Sequence, residues 1–142
     1  MKRKASAIWN GDLPNGSGAI SAPSGVLDGT NYSFKTRFED GVTGTNPEEL
    51  IAAAHASCFS MALSHELAQA GHTPKSVATE AVLQLDEVEG GFAISKIHLS
   101  TDANVPGIAQ DDFDRIAAAA KAGCPVSKAL SVEITLEARL ES

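Results

Sequence analysis

Cys58 and Cys124 have the most chemistry to offer in this chain, and they are its two thiols. A cysteine works as a nucleophile or metal ligand only once ionised, so the surroundings of each sulfur decide whether it reacts or merely packs. The two lie 66 residues apart, unlike Cys-x-x-Cys redox motifs, so a bond between them would join separate elements. Cys58 stands among Ala54, Ser57, Met61 and Ala62, where a lone cysteine is usually a small buried hydrophobe. Cys124 is followed by Pro125, which fixes the backbone where a thiol would have to be presented. In a reducing compartment such a pair reads as redox-active, metal-binding or two packed thiols. Spacing alone leaves all three open.

Ionisation narrows the requirements. The field of a helix N-terminus fades within its first turn and does little for Cys58. Burial raises a thiol pKa and makes it inert. A reactive Cys58 therefore needs a cation from elsewhere, and arginine suits a dry pocket because it stays charged and forks onto a carboxylate. Arg37, before the long helix, is the candidate, with a solvated surface residue as its ordinary reading. Glu48 is the matching carboxylate, and as a first-turn residue it also complements the helix dipole. Ten residues of straight helix separate Glu48 from Cys58, a span of about 15 Å. If both serve one compact site, the simplest geometry takes Glu48 from a second subunit, which predicts a dimer.

Metal ligation is the weaker option: His55, Cys58 and His65 roughly share a helical face, but ligand-rich zinc spacings are absent. Either histidine could instead serve as the base of a cysteine-nucleophile hydrolase or acyltransferase. That chemistry leaves Cys124 unexplained. A dimeric binding protein with an apolar interface cavity is the third reading, and there both cysteines would only pack.

The elements that must position these residues alternate between β and α. Lys4 to Asn10 and Gly16 to Ser21 read as strands around a turn at Pro14-Asn15. Tyr32 to Phe38 is expected as a strand with Tyr32, Phe34 and Phe38 on one face. Asn46, Pro47, Glu48 and Glu49 supply an N-cap, a first-position proline and two first-turn carboxylates. Glu49 is placed to complete a capping box. The helix they open runs to Ala70 and stops at Gly71. From Leu50 to Leu63 it is apolar nearly all round, as expected of a central buried helix. Ser76 to Leu85 and Gly91 to Thr101 read as a hairpin joined through Asp86–Gly90. A second helix opens at Asp111 or Asp112 and ends at Gly123, and Val132 to Leu140 alternates as a last strand. The order β-β-β-α-β-β-α-β describes one α+β domain over 1–142, without repeats or linkers.

Composition sets outer bounds. A net charge of −7 makes nucleic acid and anionic membranes poor partners. The opening residues lack a signal-peptide apolar core, and Leu50 to Leu63 is too short to span a bilayer. A cytoplasmic setting is expected. No haem, flavin or nicotinamide motif is present, so redox chemistry without a cofactor would fall to the cysteines.

Thr45-Asn46-Pro47-Glu48-Glu49-Leu50 through His55-Ala56-Ser57-Cys58-Phe59-Ser60-Met61 closely resembles the signature helix of the osmotically inducible protein C / organic hydroperoxide resistance family (OsmC/Ohr). Ala122-Gly123-Cys124-Pro125-Val126-Ser127 is similar to its second cysteine motif, and Trp9–Asp12, Ser24–Leu27 and Val105–Ile108 extend the match along the chain. Thr36-Arg37-Phe38-Glu39 resembles the OsmC branch. The resemblance implies an OsmC-like α+β fold in an intertwined homodimer with sites at the subunit interface. It implies Cys58 as the peroxidatic cysteine, Cys124 as the resolving one, and Arg37 with Glu48 completing the site. It further implies an organic hydroperoxide substrate and an external dithiol, such as a lipoylated protein, as reductant; with no cofactor motif or zinc spacing present, no bound cofactor or metal is expected. An apolar lining from Phe59 and Met61 is expected to favour alkyl hydroperoxides over hydrogen peroxide.

Overall fold

A computed structural model describes residues 1–141. The chain packs as two compact units, residues 1–50 and the chain from Ile51 onward, in a mixed α+β architecture with two small sheets.

In the first unit β1 (Ser6–Asn10), β2 (Ser17–Ser21) and β3 (Thr30–Tyr32) form an antiparallel sheet in that order. Gly18 pairs with both Trp9 and Tyr32. A Cβ there would lie 2.3 Å from Tyr32 Cε1, so glycine lets the tyrosine ring lie over the strand and reach Trp9, with centroids 5.4 Å apart.

The expected strand from Tyr32 to Phe38 is not formed. Only β3 is extended, and α1 (Phe34–Phe38) follows as a single helical turn. Ser33 decides the switch. Its hydroxyl accepts from Thr36 N–H, and its own N–H donates to Thr36 Oγ1 at 2.8 Å, a reciprocal capping box. Phe34 and Phe38 then stack one turn apart, with centroids 4.7 Å apart. Residues four apart share a face in strand and helix alike, so the aromatic pattern did not discriminate.

The helix α2 (Pro47–Gln69) starts in the first unit and continues in the second. Asn46 caps it, accepting from Glu49 N–H at 2.7 Å. Glu49 does not close the expected box; its carboxylate faces the Thr45 hydroxyl at 3.5 Å. At the far end Gly71 takes φ +89°, while its N–H and that of His72 satisfy Ala68 and Leu67 carbonyls. Within the chain α2 is not buried all round. His55, Phe59, Leu63 and Leu67 form one buried stripe at every fourth position, while Met61 is 74% exposed. One copy of the chain covers one face only.

In the second unit β4 (Ser76–Val88) and β5 (Gly91–Asn104) form a hairpin. Its connection is the pair Glu89-Gly90 rather than five residues, because pairing continues to Val88 opposite Gly91. The helices α3 (Gln110–Gly123) and α4 (Pro125–Ala129) then carry the chain back to β6 (Glu133–Glu141), which runs parallel to β5. That crossover explains the parallel pairing, since a tight turn joins only antiparallel neighbours. The core gathers Phe59, Leu63, Ile97, Leu99, Phe113 and Ile116 from α2, β5 and α3. One polar thread runs through it: Ser60 donates to Thr79 at 2.8 Å, Thr79 meets Thr101 at 2.9 Å, and Thr101 reaches the Ala78 carbonyl. The buried Thr101 hydroxyl is thereby satisfied while α2 is tied to the sheet. Among the described residues no helix is long and apolar enough to cross a membrane.

Candidate active site

The structure brings the four residues singled out by sequence together as two pairs, one in each unit. Cys58 lies half-buried on α2, and Cys124 is fully buried at the junction of α3 and α4. Their sulfurs are 3.1 Å apart, as free thiols sharing a hydrogen bond. Cys124 is extended (φ −60°, ψ 122°), which ends α3 and lets Pro125 begin α4. The Cys-Pro break thus aims the sulfur at α2. The short α4 was not anticipated from sequence.

The two sulfurs are not equivalent. Burial pushes the Cys58 thiol up most strongly, the Val126 backbone opposes it, and the contact with Cys124 adds to the rise. Burial acts upward on Cys124 too, but the Ser127 backbone, Cys58 and the Ser127 side chain together bring it below its ordinary value. Within the chain, therefore, negative charge rests more easily on Cys124. A thiolate on Cys58 needs a further cation, as the sequence argument required.

Arg37 and Glu48 form the second pair. Arg37 Nε donates to both carboxylate oxygens, at 2.9 and 3.1 Å, and Nη2 pairs closely with Glu48 Oε1. This is a forked ion pair of defined orientation. Arg37 lies on α1 rather than on a strand, directly after the turn that Ser33 caps. Asn46 Nδ2 donates to the Thr36 carbonyl at 3.0 Å, holding the start of α2 against α1 so that Glu48 meets Arg37. Glu48 is only 12% exposed while Arg37 is 36% exposed. The guanidinium neutralises the carboxylate and keeps an accessible edge.

A pocket of about 440 Å³ opens beside Cys58, with Met61, Ala62, Ala120 and Pro125 among its apolar lining and His65 and Glu66 as polar groups. Met61 contributes as expected. Phe59 does not, because one residue along α2 turns it fully into the core.

Sequence reasoning missed one set of contacts. His55, nominated as a metal ligand or base, is fully buried, and its Nε2 lies 2.7 Å from Ser127 Oγ. Burial shifts its pKa downward, so the ring is held neutral. These residues are 72 positions apart; no spacing signal joins them. Among the described residues no three His, Cys, Asp or Glu side chains gather as a metal site.

The family model of OsmC-like proteins matches residues 39–139. The chain belongs to the OsmC-like family. Peroxiredoxin OsmC of Escherichia coli (strain K12) is 56% identical over 142 residues, covering 100% of this chain and 99% of that protein. Organic hydroperoxide resistance protein OhrB of Bacillus subtilis (strain 168) is 33% identical over 123 residues, covering 84% and 88%. The crystal structure of OhrB superposes on this OsmC-like chain with a TM-score of 0.70 at 28% identity, covering 97% of this chain and 98% of the other. The family-model match takes in Glu48, Cys58 and Cys124 and starts two residues after Arg37, which the full-length similarity to the E. coli protein includes.

Proposed function

We propose that this OsmC-like protein is a thiol peroxidase that reduces organic hydroperoxides in peroxide defence. The observation that carries the reading is the pair of free thiols, Cys58 and Cys124, with sulfurs 3.1 Å apart beside an apolar pocket. The names of its relatives, a peroxiredoxin and an organic hydroperoxide resistance protein, support the same role.

The Cys58 thiolate attacks one oxygen of the peroxide; the O–O bond breaks and the alkoxide takes up a proton and leaves as the alcohol. Cys58 becomes a sulfenic acid. Cys124 condenses with it, releasing water, and an external dithiol, a lipoylated protein in our reading, reopens the disulfide by exchange. Arg37, oriented by Glu48, stabilises the Cys58 thiolate and the charge developing on the peroxide. The apolar pocket wall favours an alkyl group, each buried methylene being worth about 0.8 kcal/mol. Reduced thiols suit a cytoplasmic site of action.

The Arg37–Glu48 pair reaches Cys58 from the second chain of a homodimer. Glu48 and Cys58 lie on one uninterrupted helix, along which ten residues rise about 15 Å. The open faces of α2 supply apolar surface for such a partner.

Intact mass of reduced protein given one equivalent of cumene hydroperoxide tests the chemistry. Loss of two protons in the parent, and a trapped oxygen on Cys58 in Cys124→Ser, are expected; unchanged masses would refute it. Co-refolding equal amounts of Cys58→Ser and Arg37→Ala chains tests the shared site. Half the dimers then carry one intact site of two, so about a quarter of parent activity returns. No recovery would mean that the arginine acts within its own chain.

A further inference from the structure

His55 sits fully buried in the middle of α2, and the peroxide chemistry above gives it no part. Its Nδ1 has no hydrogen-bond partner among the described residues, an arrangement that costs folding free energy. Its Nε2 makes one short contact, 2.7 Å to Ser127 Oγ. Ser127 is the third residue of α4, whose N-cap is Cys124, so its side chain lies on the turn that carries the resolving sulfur. The Ser127 side chain is among the groups that favour negative charge on Cys124.

The polarity of these contacts follows from the unpaired atom. A buried N–H without a partner is costlier than a lone pair without one. The ring proton therefore sits on Nε2 and is donated to Ser127 Oγ, leaving Nδ1 as a bare lone pair.

We propose that the hydrogen bond from His55 Nε2–H to Ser127 Oγ holds the first turn of α4 and so positions Cys124 to attack the Cys58 sulfenic acid. This rests on the peroxidase reading and assigns two positioning residues to its second step. In that step a Cys124 sulfur lone pair forms the S–S bond as the Cys58 S–O bond breaks. Hydroxide leaves, and the proton released when Cys124 ionised converts it to water. Cys124 sulfur is oxidised and Cys58 sulfur is reduced. The arrangement divides labour between the sulfurs: a cation from outside the unit activates Cys58, and a buried neutral hydrogen bond inside it holds the turn that carries Cys124.

Rapid acid quench and intact mass separate the two steps, through growth of the oxygen adduct and then its loss as the disulfide forms. In Ser127→Ala, disulfide formation is expected to slow roughly tenfold relative to adduct formation, the size of one lost buried hydrogen bond. Ser127→Thr keeps the hydroxyl and should restore the ratio. His55→Gln should slow the same step from the other end of the hydrogen bond, with folding checked by circular dichroism. A parent-like ratio in Ser127→Ala, or equal slowing in Ser127→Thr, would overturn the positioning role while leaving the peroxidase reading intact. A parent that forms neither adduct nor disulfide would overturn the peroxidase reading itself.

Discussion

In residues 1–50 the Arg37–Glu48 pair is held by caps and a forked ion pair, and no apolar side chain of that unit is fully buried. From Ile51 onward the thiol pair is set against a core of fully buried side chains that includes Phe59, Leu63, Leu99 and Phe113. The two units thus hold their pairs by different means. A charged group needs an accessible edge and oriented partners, which a thin sheet with a capped turn provides. A thiol pair needs two sulfurs held in register by packing, which a core provides. The exposed apolar residues Ile8, Leu13 and Val26 of the first unit add surface that association would bury, consistent with the proposed dimer.

The sharpest break in this contrast is Cys58→Ser. Peroxide consumption is expected to fall by about 10⁴-fold, because hydroxyl oxygen replaces the attacking sulfur; retained turnover would end the thiol reading. Next comes Phe59→Ala, which opens a cavity in the core and should cost about 3–5 kcal/mol in urea unfolding. Phe34→Ala, in the half-buried α1 pair, should cost less than half as much. Equal costs would show that both units rest on burial.

Arg37→Ala should lower kcat/KM by about 10²-fold without removing the thiols' reactivity toward disulfide reagents. No loss would mean that the second unit ionises Cys58 unaided. The smallest effect concerns acid. Burial lowers the His55 pKa from 6.5, so the unfolded chain binds more protons once the pH falls below that value. The stability of the neutral ring is full above pH 6.5 and lost on acidification. Between pH 7.5 and 5.5 the parent Tm should fall further than that of His55→Gln, read by scanning calorimetry.

Much of the site was legible in particular residues. Asn46-Pro47-Glu48 predicted where α2 begins, Gly71 where it ends, and the Cys124-Pro125 step marked the break that presents the second sulfur. That a thiolate on Cys58 would need an external cation also followed from its position in mid-helix. Other features had no sequence signal. Ser33-Phe34-Lys35-Thr36 alternates like a strand, and only the reciprocal Ser33–Thr36 bonds make it helical. Phe59 and Met61 are equally apolar neighbours of Cys58, and which one faces the pocket depends on the rotation of α2 against its sheet.

The sequence by itself determined the family, the order of most elements and the four residues nominated for the site, because caps, periodicity and motifs are local and written in residue type. Tertiary structure decided the 3.1 Å approach of the sulfurs, the Arg37–Glu48 fork and the His55–Ser127 contact. These depend on contacts between residues distant in the chain, set by how helices and strands close around a core.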